Sequence, residues 1–121
     1  WTDRALIQEA IALFRELVGS AEEGVLLATD LHAANVLRAQ RAPWLVIDLK
    51  PFVGDRAYDA TQHLRNCSQR LGADPDGTIG RFANLLELEP LRVRLWTFAR
   101  AVVDARTKAM GADSLARRLA P

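Results

Sequence analysis

The sequence is short of several things, and each shortage excludes something. It holds one cysteine, Cys67, among 121 residues. A single thiol rules out an internal disulfide and any multi-cysteine zinc site, and fits a reducing cytoplasm. Charge of one sign is also lacking: 16 basic and 15 acidic residues leave a formal net charge of +1. That balance gives no electrostatic case for nucleic acid or an anionic membrane as partner. No apolar run approaches the roughly 18–20 residues that a membrane span requires. The opening stretch WTDRALIQEA has no basic region leading into an apolar block, so it does not read as a signal peptide. There is no repeat and no low-complexity segment. Nor is there an initiator methionine. Trp1 opens directly onto a helical pattern, and the expectation is a piece of something longer.

What is present fits a folded domain. Half of the residues are hydrophobic and a quarter are charged, enough to build one modest core. Residues 3–18 are amphipathic, with Leu6, Ala10, Leu13 and Leu17 at helical spacing beside a second row of Ile7, Ile11, Phe14 and Val18. Thr2 or Asp3 can cap the start and Gly19 can end it. VLLA (25–28) reads as a short buried strand. VLR (36–38) and WLVID (44–48) read as a hairpin with a longer connection. KPFVGD reads as a loop, broken by Pro51 and Gly54.

From residue 55 the pattern is helical. Helices are expected over 55–71, over 78–88 with Asp76 as cap, and over 90–110 with Pro90 in the first turn and Gly111 as the stop. GADPDG is read as a break between the first two, and the tail ADSLARRLAP as one further turn. The expected class is α+β, mainly helical: one domain spanning 1–121, with a small strand-and-loop patch carried on a helical scaffold.

The polar residues of that patch carry the chemistry. ATDLHAANVL (28–37) places Asp30 and Asn35 as D-x-x-x-x-N, and Asp48 follows Asn35 by thirteen positions at the end of an apolar run. A hairpin between them returns Asp48 close to Asn35. This is the spacing of a kinase catalytic loop followed by its metal-binding aspartate. The residue types suit the task. Mg²⁺ takes hard oxygen ligands, one or two carboxylates with phosphate oxygens and water. Asp48 supplies a carboxylate and Asn35 an amide oxygen. An attacking alcohol needs a carboxylate near its proton, and Asp30 is placed for that. Asp and Asn are also common turn residues and caps. The order of Asp30, Asn35, Asp48 and the downstream GD-x-x-x-D argues against coincidence.

TDLHAANVL followed by WLVIDLKPFVGDRAYDA resembles the C-terminal lobe of the aminoglycoside phosphotransferases. Within them it is most similar to the aminoglycoside/hydroxyurea resistance kinases, the branch that includes streptomycin 6-kinases. The signature of that family runs roughly H-G-D-L-H-x-x-N-[IV]-L and then I-D-P-K-x-x-x-G-D-P-x-Y-D. The match covers about residues 25–66. Ala28 and Thr29 stand here for the His-Gly pair, and Leu49 and Arg56 for the two prolines.

The resemblance implies a protein-kinase-like fold and the use of ATP and Mg²⁺. It implies transfer of the γ-phosphate to a hydroxyl of a small acceptor, an aminoglycoside antibiotic, and hence resistance. Asp30 would be the catalytic aspartate, and Asn35 and Asp48 the metal ligands. Asp55 would brace the catalytic loop through its backbone, and Asp59 would do similar work near the start of the next helix. His32 would be structural. No glycine-rich phosphate loop and no strand lysine of the nucleotide lobe is found. That N-terminal lobe is expected to precede Trp1, and the 121 residues alone are expected to be inactive.

Other residues carry weaker expectations. Asp104 is a candidate for binding an acceptor amino group, against the alternative of plain surface charge. His63 and Cys67 are read as surface or boundary residues and Trp96 and Phe98 as packing. Arg92, Arg94, Arg100 and Arg106 are read as a solvated face. Lys50 either touches phosphate or substrate or is a solvated loop lysine. Two rival readings stand beside the main one: a truncated, non-catalytic remnant or partner-binding module, and a kinase of hydroxyurea or another small metabolite.

Overall fold

The computed structural model describes residues 3–107 and 111–121. Among the described residues, six α-helices carry a patch of four short strands. Helix α1 (Arg4–Gly19) starts where the Asp3 carboxylate accepts the Leu6 amide at 3.2 Å, satisfying one of the orphan donors of a first turn. Ala10, Leu13 and Leu17 are its buried row. Thr2, the other candidate cap, lies outside the described residues.

Strands β1 (Val25–Leu27), β2 (Val36–Arg38), β3 (Trp44–Val46) and β4 (Phe52–Gly54) follow, with a single 3-10 turn at Ala33–Asn35 before β2. They form two separate antiparallel ribbons. In one, β1 pairs with β4 so that Leu26 faces Val53. In the other, β2 pairs with β3 so that Leu37 faces Leu45. The expected hairpin is the second ribbon, shortened: β3 ends at Val46, not at Asp48. The first ribbon corrects the reading of KPFVGD as loop. Phe52, Val53 and Gly54 are the whole strand, and its partner lies far back in the chain. Two-stranded ribbons are marginal alone, and the first leans on the helix that begins at Arg56. Leu27 is the strand residue that is buried there.

The helical half also departs from expectation in its boundaries. The stretch 55–71 is divided at Cys67 into α2 (Arg56–Asn66) and α3 (Ser68–Ala73). Helix α4 (Pro75–Leu85) begins inside GADPDG. Its cap is Asp74, which accepts the Gly77 amide at 3.0 Å, and not Asp76. Pro75 suits a first turn because its missing N–H is unused there. The end of α4 comes before Leu88. Glu87 adopts a left-handed φ of 56°, and the Leu88 amide folds back to the Ala83 carbonyl at 2.9 Å.

Helix α5 (Pro90–Arg106) is the centre of the molecule. Glu89 caps it, accepting the Leu91 and Arg92 amides at 2.9 and 2.6 Å. Trp96, Thr97, Phe98 and Ala99 are buried in succession, so every side of the helix is covered there. It packs on α1, α2, α4 and α6 (Ala112–Leu119). Trp96 receives Phe14 and Tyr58 edge-on, with ring centroids 5.5 and 5.1 Å away, a favoured aromatic geometry. Residues 108–110, where the third helix was expected to run on, lie outside the described residues. Gly111 holds a left-handed φ of 76° and starts α6.

Arg92, Arg94 and Arg100 of α5 are not a solvated face. Arg92 donates to the Leu17 carbonyl at 2.7 Å, to the Ser20 hydroxyl and to Asp55. Arg94 donates to the Leu119 carbonyl at 2.8 Å and pairs with Asp76. Arg100 lies over the Tyr58 ring, 4.6 Å from its centroid, and donates to Thr61 and Gln62. Each ties a neighbouring segment to the central helix. Arg106 is exposed.

Candidate active site

The site is built from two loops. The first, 28–35, leaves β1 and enters the 3-10 turn. The second, 47–51, leaves β3 and enters β4. Both turn sharply without glycine: Thr29 has φ 44° and Asp48 has φ 52°. Left-handed backbone costs a non-glycine residue about 1–2 kcal/mol, and a β-branched residue such as threonine is rare there. Such a conformation persists only where its surroundings enforce it.

The surroundings of Thr29 do so. Asp59, one turn into α2, accepts the Ala28 amide on one carboxylate oxygen at 2.9 Å and the Thr29 amide on the other at 2.8 Å. The Asp30 amide closes a three-residue turn onto the Ala28 carbonyl at 2.6 Å. The Thr29 hydroxyl donates to the Lys50 carbonyl at 2.5 Å, and the Lys50 amide reaches the Ala28 carbonyl at 3.4 Å. The two loops are thereby stitched side by side.

Asp30 stands on the first loop, 29 % exposed at its side chain. Its Oδ2 lies 2.6 Å from the Nζ of Lys50 on the second loop. That hydrogen bond holds the Asp30 carboxyl below the ordinary carboxylate range and raises the Lys50 ammonium above its own. Asn35 is buried. Its Nδ2 donates to the Asp30 carbonyl at 3.0 Å, which commits the amide nitrogen and leaves Oδ1 without a protein donor among the described residues. The Asn35 carbonyl accepts the Ile47 amide at 2.9 Å. This bond extends the β2–β3 ladder by one rung, and Asp48 is the residue that follows it. Asp48 is exposed, and its carboxylate makes no hydrogen bond or ion pair among the described residues.

The donor set fits Mg²⁺. One carboxylate and one amide oxygen, neither with a hydrogen-bond donor among the described residues, are the share of an octahedral shell that a protein commonly supplies, with phosphate oxygens and water filling the rest. Among the described residues no cluster of three or more His, Cys, Asp or Glu side chains could hold a metal. A metal cage made by the protein alone is therefore not what these loops offer.

The two other aspartates of the motif divide their work differently from expectation. Asp55, expected to brace the loop, caps α2 through the Ala57 amide at 2.9 Å. Its Oδ2 takes Arg92 Nε at 2.6 Å and Trp96 Nε1 at 2.7 Å. Asp55 thus ties the start of α2 to the middle of the core, and the contact with the loop falls to Asp59. The i, i+4 spacing puts both on one side of α2, and only the packing decides which of them reaches the loop. Asp104 is held by the guanidinium of Arg65, at 2.7 and 2.8 Å. No hydrogen bond or ion pair joins it to Asp30, Asn35 or Asp48. His32 sits at the N-cap of the 3-10 turn without a side-chain capping bond. His63 is exposed and stacks on Phe82, its Nε2 3.5 Å from the Cys67 sulfur.

An open cleft of about 920 Å³ adjoins the first loop, lined among others by Leu27, Leu31, Val36, Trp44 and Phe82. It is mainly apolar. Both oxygens of Asp59, its one carboxylate, are already taken by the loop amides. No helix among the described residues is long and apolar enough to cross a membrane.

The profile of the aminoglycoside/hydroxyurea antibiotic resistance kinases matches residues 2–111. The chain is 38 % identical to a streptomycin 6-kinase of Streptomyces griseus over 104 residues, covering 81 % of this chain and 34 % of that protein. It is 32 % identical over 109 residues to a streptomycin 6-kinase of Streptomyces glaucescens, covering 85 % and 35 %. It is 36 % identical over 105 residues to a hydroxyurea phosphotransferase of Kitasatospora aureofaciens, covering 83 % and 28 %. The chain thus spans about a third of the length of these curated relatives. No solved structure matches it. With the profile covering nearly all of its length, the chain belongs to the aminoglycoside/hydroxyurea antibiotic resistance kinase family.

Proposed function

We propose that these residues are the C-terminal, protein-kinase-like lobe of an ATP- and Mg²⁺-dependent O-phosphotransferase acting on a small molecule. The observation that carries the reading is the pairing of the two loops. It sets Asp30 against Lys50, and it pairs Asn35 with Ile47, the residue before Asp48.

Asp30 is the group that meets the acceptor. Its carboxylate orients the attacking hydroxyl and takes its proton as the bond to phosphorus forms. In a loose phosphoryl-transfer transition state that proton moves late, so a carboxylate held ionised is suited to the task. Asn35 Oδ1 and the Asp48 carboxylate would hold Mg²⁺, which neutralises and orients the nucleotide phosphates when bound. Asp59 keeps the Ala28–Thr29 turn in the shape that aims Asp30.

The nucleotide lobe lies outside these residues in this reading, as their share of the relatives' length supports. Without it there is no adenine pocket, and the isolated residues do not turn over. The cytoplasm, where ATP is available, is the compartment we assign. The acceptor is an aminoglycoside such as streptomycin, supported by the two streptomycin 6-kinase relatives. Its cationic groups need carboxylates that neither the apolar cleft nor Arg65-bound Asp104 offers free. The acceptor-binding carboxylates are therefore sought elsewhere. A second reading, hydroxyurea as acceptor, is supported by the 36 % identity to the hydroxyurea phosphotransferase.

The test is an acceptor panel. The complete enzyme is incubated with Mg·ATP and streptomycin, other aminoglycosides or hydroxyurea, and products are read by mass spectrometry. A phosphorylated aminoglycoside is expected. Phosphorylated hydroxyurea alone would favour the second reading, and no transfer to any hydroxyl would overturn both.

A further inference from the structure

Lys50 has a place in the site that the metal and base assignments leave unused. We propose that Lys50 is a further catalytic residue: it holds the Asp30 carboxylate at rest and contacts the transferring phosphoryl group during reaction. The inference rests on the phosphotransferase reading above.

Two observations carry it. The Lys50 ammonium lies 2.6 Å from Asp30 Oδ2. The Lys50 backbone is fixed at both ends of its peptide unit, the amide against the Ala28 carbonyl and the carbonyl against the Thr29 hydroxyl. The side chain therefore starts from a fixed point, two residues past Asp48, and reaches back to Asp30. This places one cation against the carboxylate for the acceptor's proton, on the same loop as the carboxylate for the metal.

The pair is not explained by stability. The lysine side chain is 63 % exposed, and an exposed ion pair adds little to folding. Composition points the same way. The sequence has only two lysines, Lys50 and Lys108, against fourteen arginines. Where cations tie the fold together, as at residues 65, 92, 94 and 100, they are arginines with several fixed donors. A lysine offers a compact, swinging point charge, which suits a phosphoryl group whose oxygens move during reaction.

The step balances without another reactant. The acceptor oxygen bonds to the γ-phosphorus of ATP while the bond to the β,γ-bridging oxygen breaks, and ADP leaves with that electron pair. The hydroxyl proton passes to Asp30. As the carboxylate loses its charge, the Lys50 ammonium, still protonated, transfers its hydrogen bond to the phosphoryl oxygens.

The experiment uses the complete enzyme and its phosphorylated acceptor. Lys50→Ala is expected to lower kcat about 10²-fold, the usual effect of removing one transition-state donor, with the acceptor KM essentially unchanged. Lys50→Arg, which keeps the charge, is expected to recover much of the loss. A binding readout accompanies it. Lys50→Ala should weaken the Mg·ADP–aluminium fluoride complex, a mimic of the phosphoryl group in flight, about tenfold or more, and leave Mg·ADP affinity as it was. If Lys50→Ala keeps wild-type kcat, or weakens both complexes equally, the assignment of Lys50 fails while an inactive Asp30→Asn leaves the phosphotransferase reading intact. Should Asp30→Asn turn over normally, that reading falls and Lys50 with it.

Discussion

Asp59 holds the amides of Ala28 and Thr29 with both oxygens of one carboxylate, across thirty residues of sequence. The clamp explains how threonine occupies a left-handed position where the family signature has glycine. Each bond to a charged acceptor contributes about 1.5–3 kcal/mol, enough to offset the backbone strain. Asp59→Ala is therefore expected to release the turn before it disturbs the core. Hydrogen exchange at Ala28 and Thr29 should accelerate strongly while α5 stays protected. Unchanged protection at those two amides would count against the clamp.

A second prediction concerns Asp55. Its carboxylate serves the α2 cap, Arg92 and Trp96, with side-chain exposures of 11 % for Asp55 and 25 % for Arg92. Removing one partner of such a pair strands the other, so Asp55→Ala is expected to cost about 3–5 kcal/mol in denaturant unfolding. The double variant with Arg92→Ala should cost clearly less than the two single losses added. Strict additivity would show that the two side chains do not act as a unit.

These two aspartates also show where sequence reasoning stops. The hairpin that joins the loops of Asn35 and Asp48 was legible because its strands and spacing fall within a short stretch. Helix α1 and the entry to α5 were legible because caps and apolar periodicity are local. Strand β4 was not: Phe52–Gly54 is three residues long, and its partner β1 lies across the whole site. Arg92, Arg94 and Arg100 were misread because their partners, such as the carbonyls of Leu17 and Leu119, are distant in sequence. The break at Cys67 was missed because the polar and apolar pattern runs through it. The roles of Asp55 and Asp59 depend on how α2 packs, which spacing alone does not express.

The Asp30–Lys50 pair makes a prediction in pH. The Lys50 hydrogen bond depresses the Asp30 carboxyl below its ordinary value of 3.8. Its share of stability is present above that value and is lost as pH falls through the folded one. Lys50 is raised above 10.5 by the same bond. Its share is present below that value and is lost as pH rises through the folded one. The pair is thus intact across neutral pH. In Lys50→Ala the Asp30 titration, followed by NMR of its carboxyl carbon, should move up. A titration that does not move would mean that the pair is absent in solution.

The most direct test of the account is the rate of acceptor phosphorylation by Asp30→Asn in the complete enzyme. The substitution keeps the shape and the Asn35 contact to the Asp30 carbonyl, and removes the charge that receives the proton. A positioned base contributes about 10²–10⁴-fold, and kcat should fall by that order with nucleotide affinity retained. Wild-type turnover by Asp30→Asn would contradict the account at its centre.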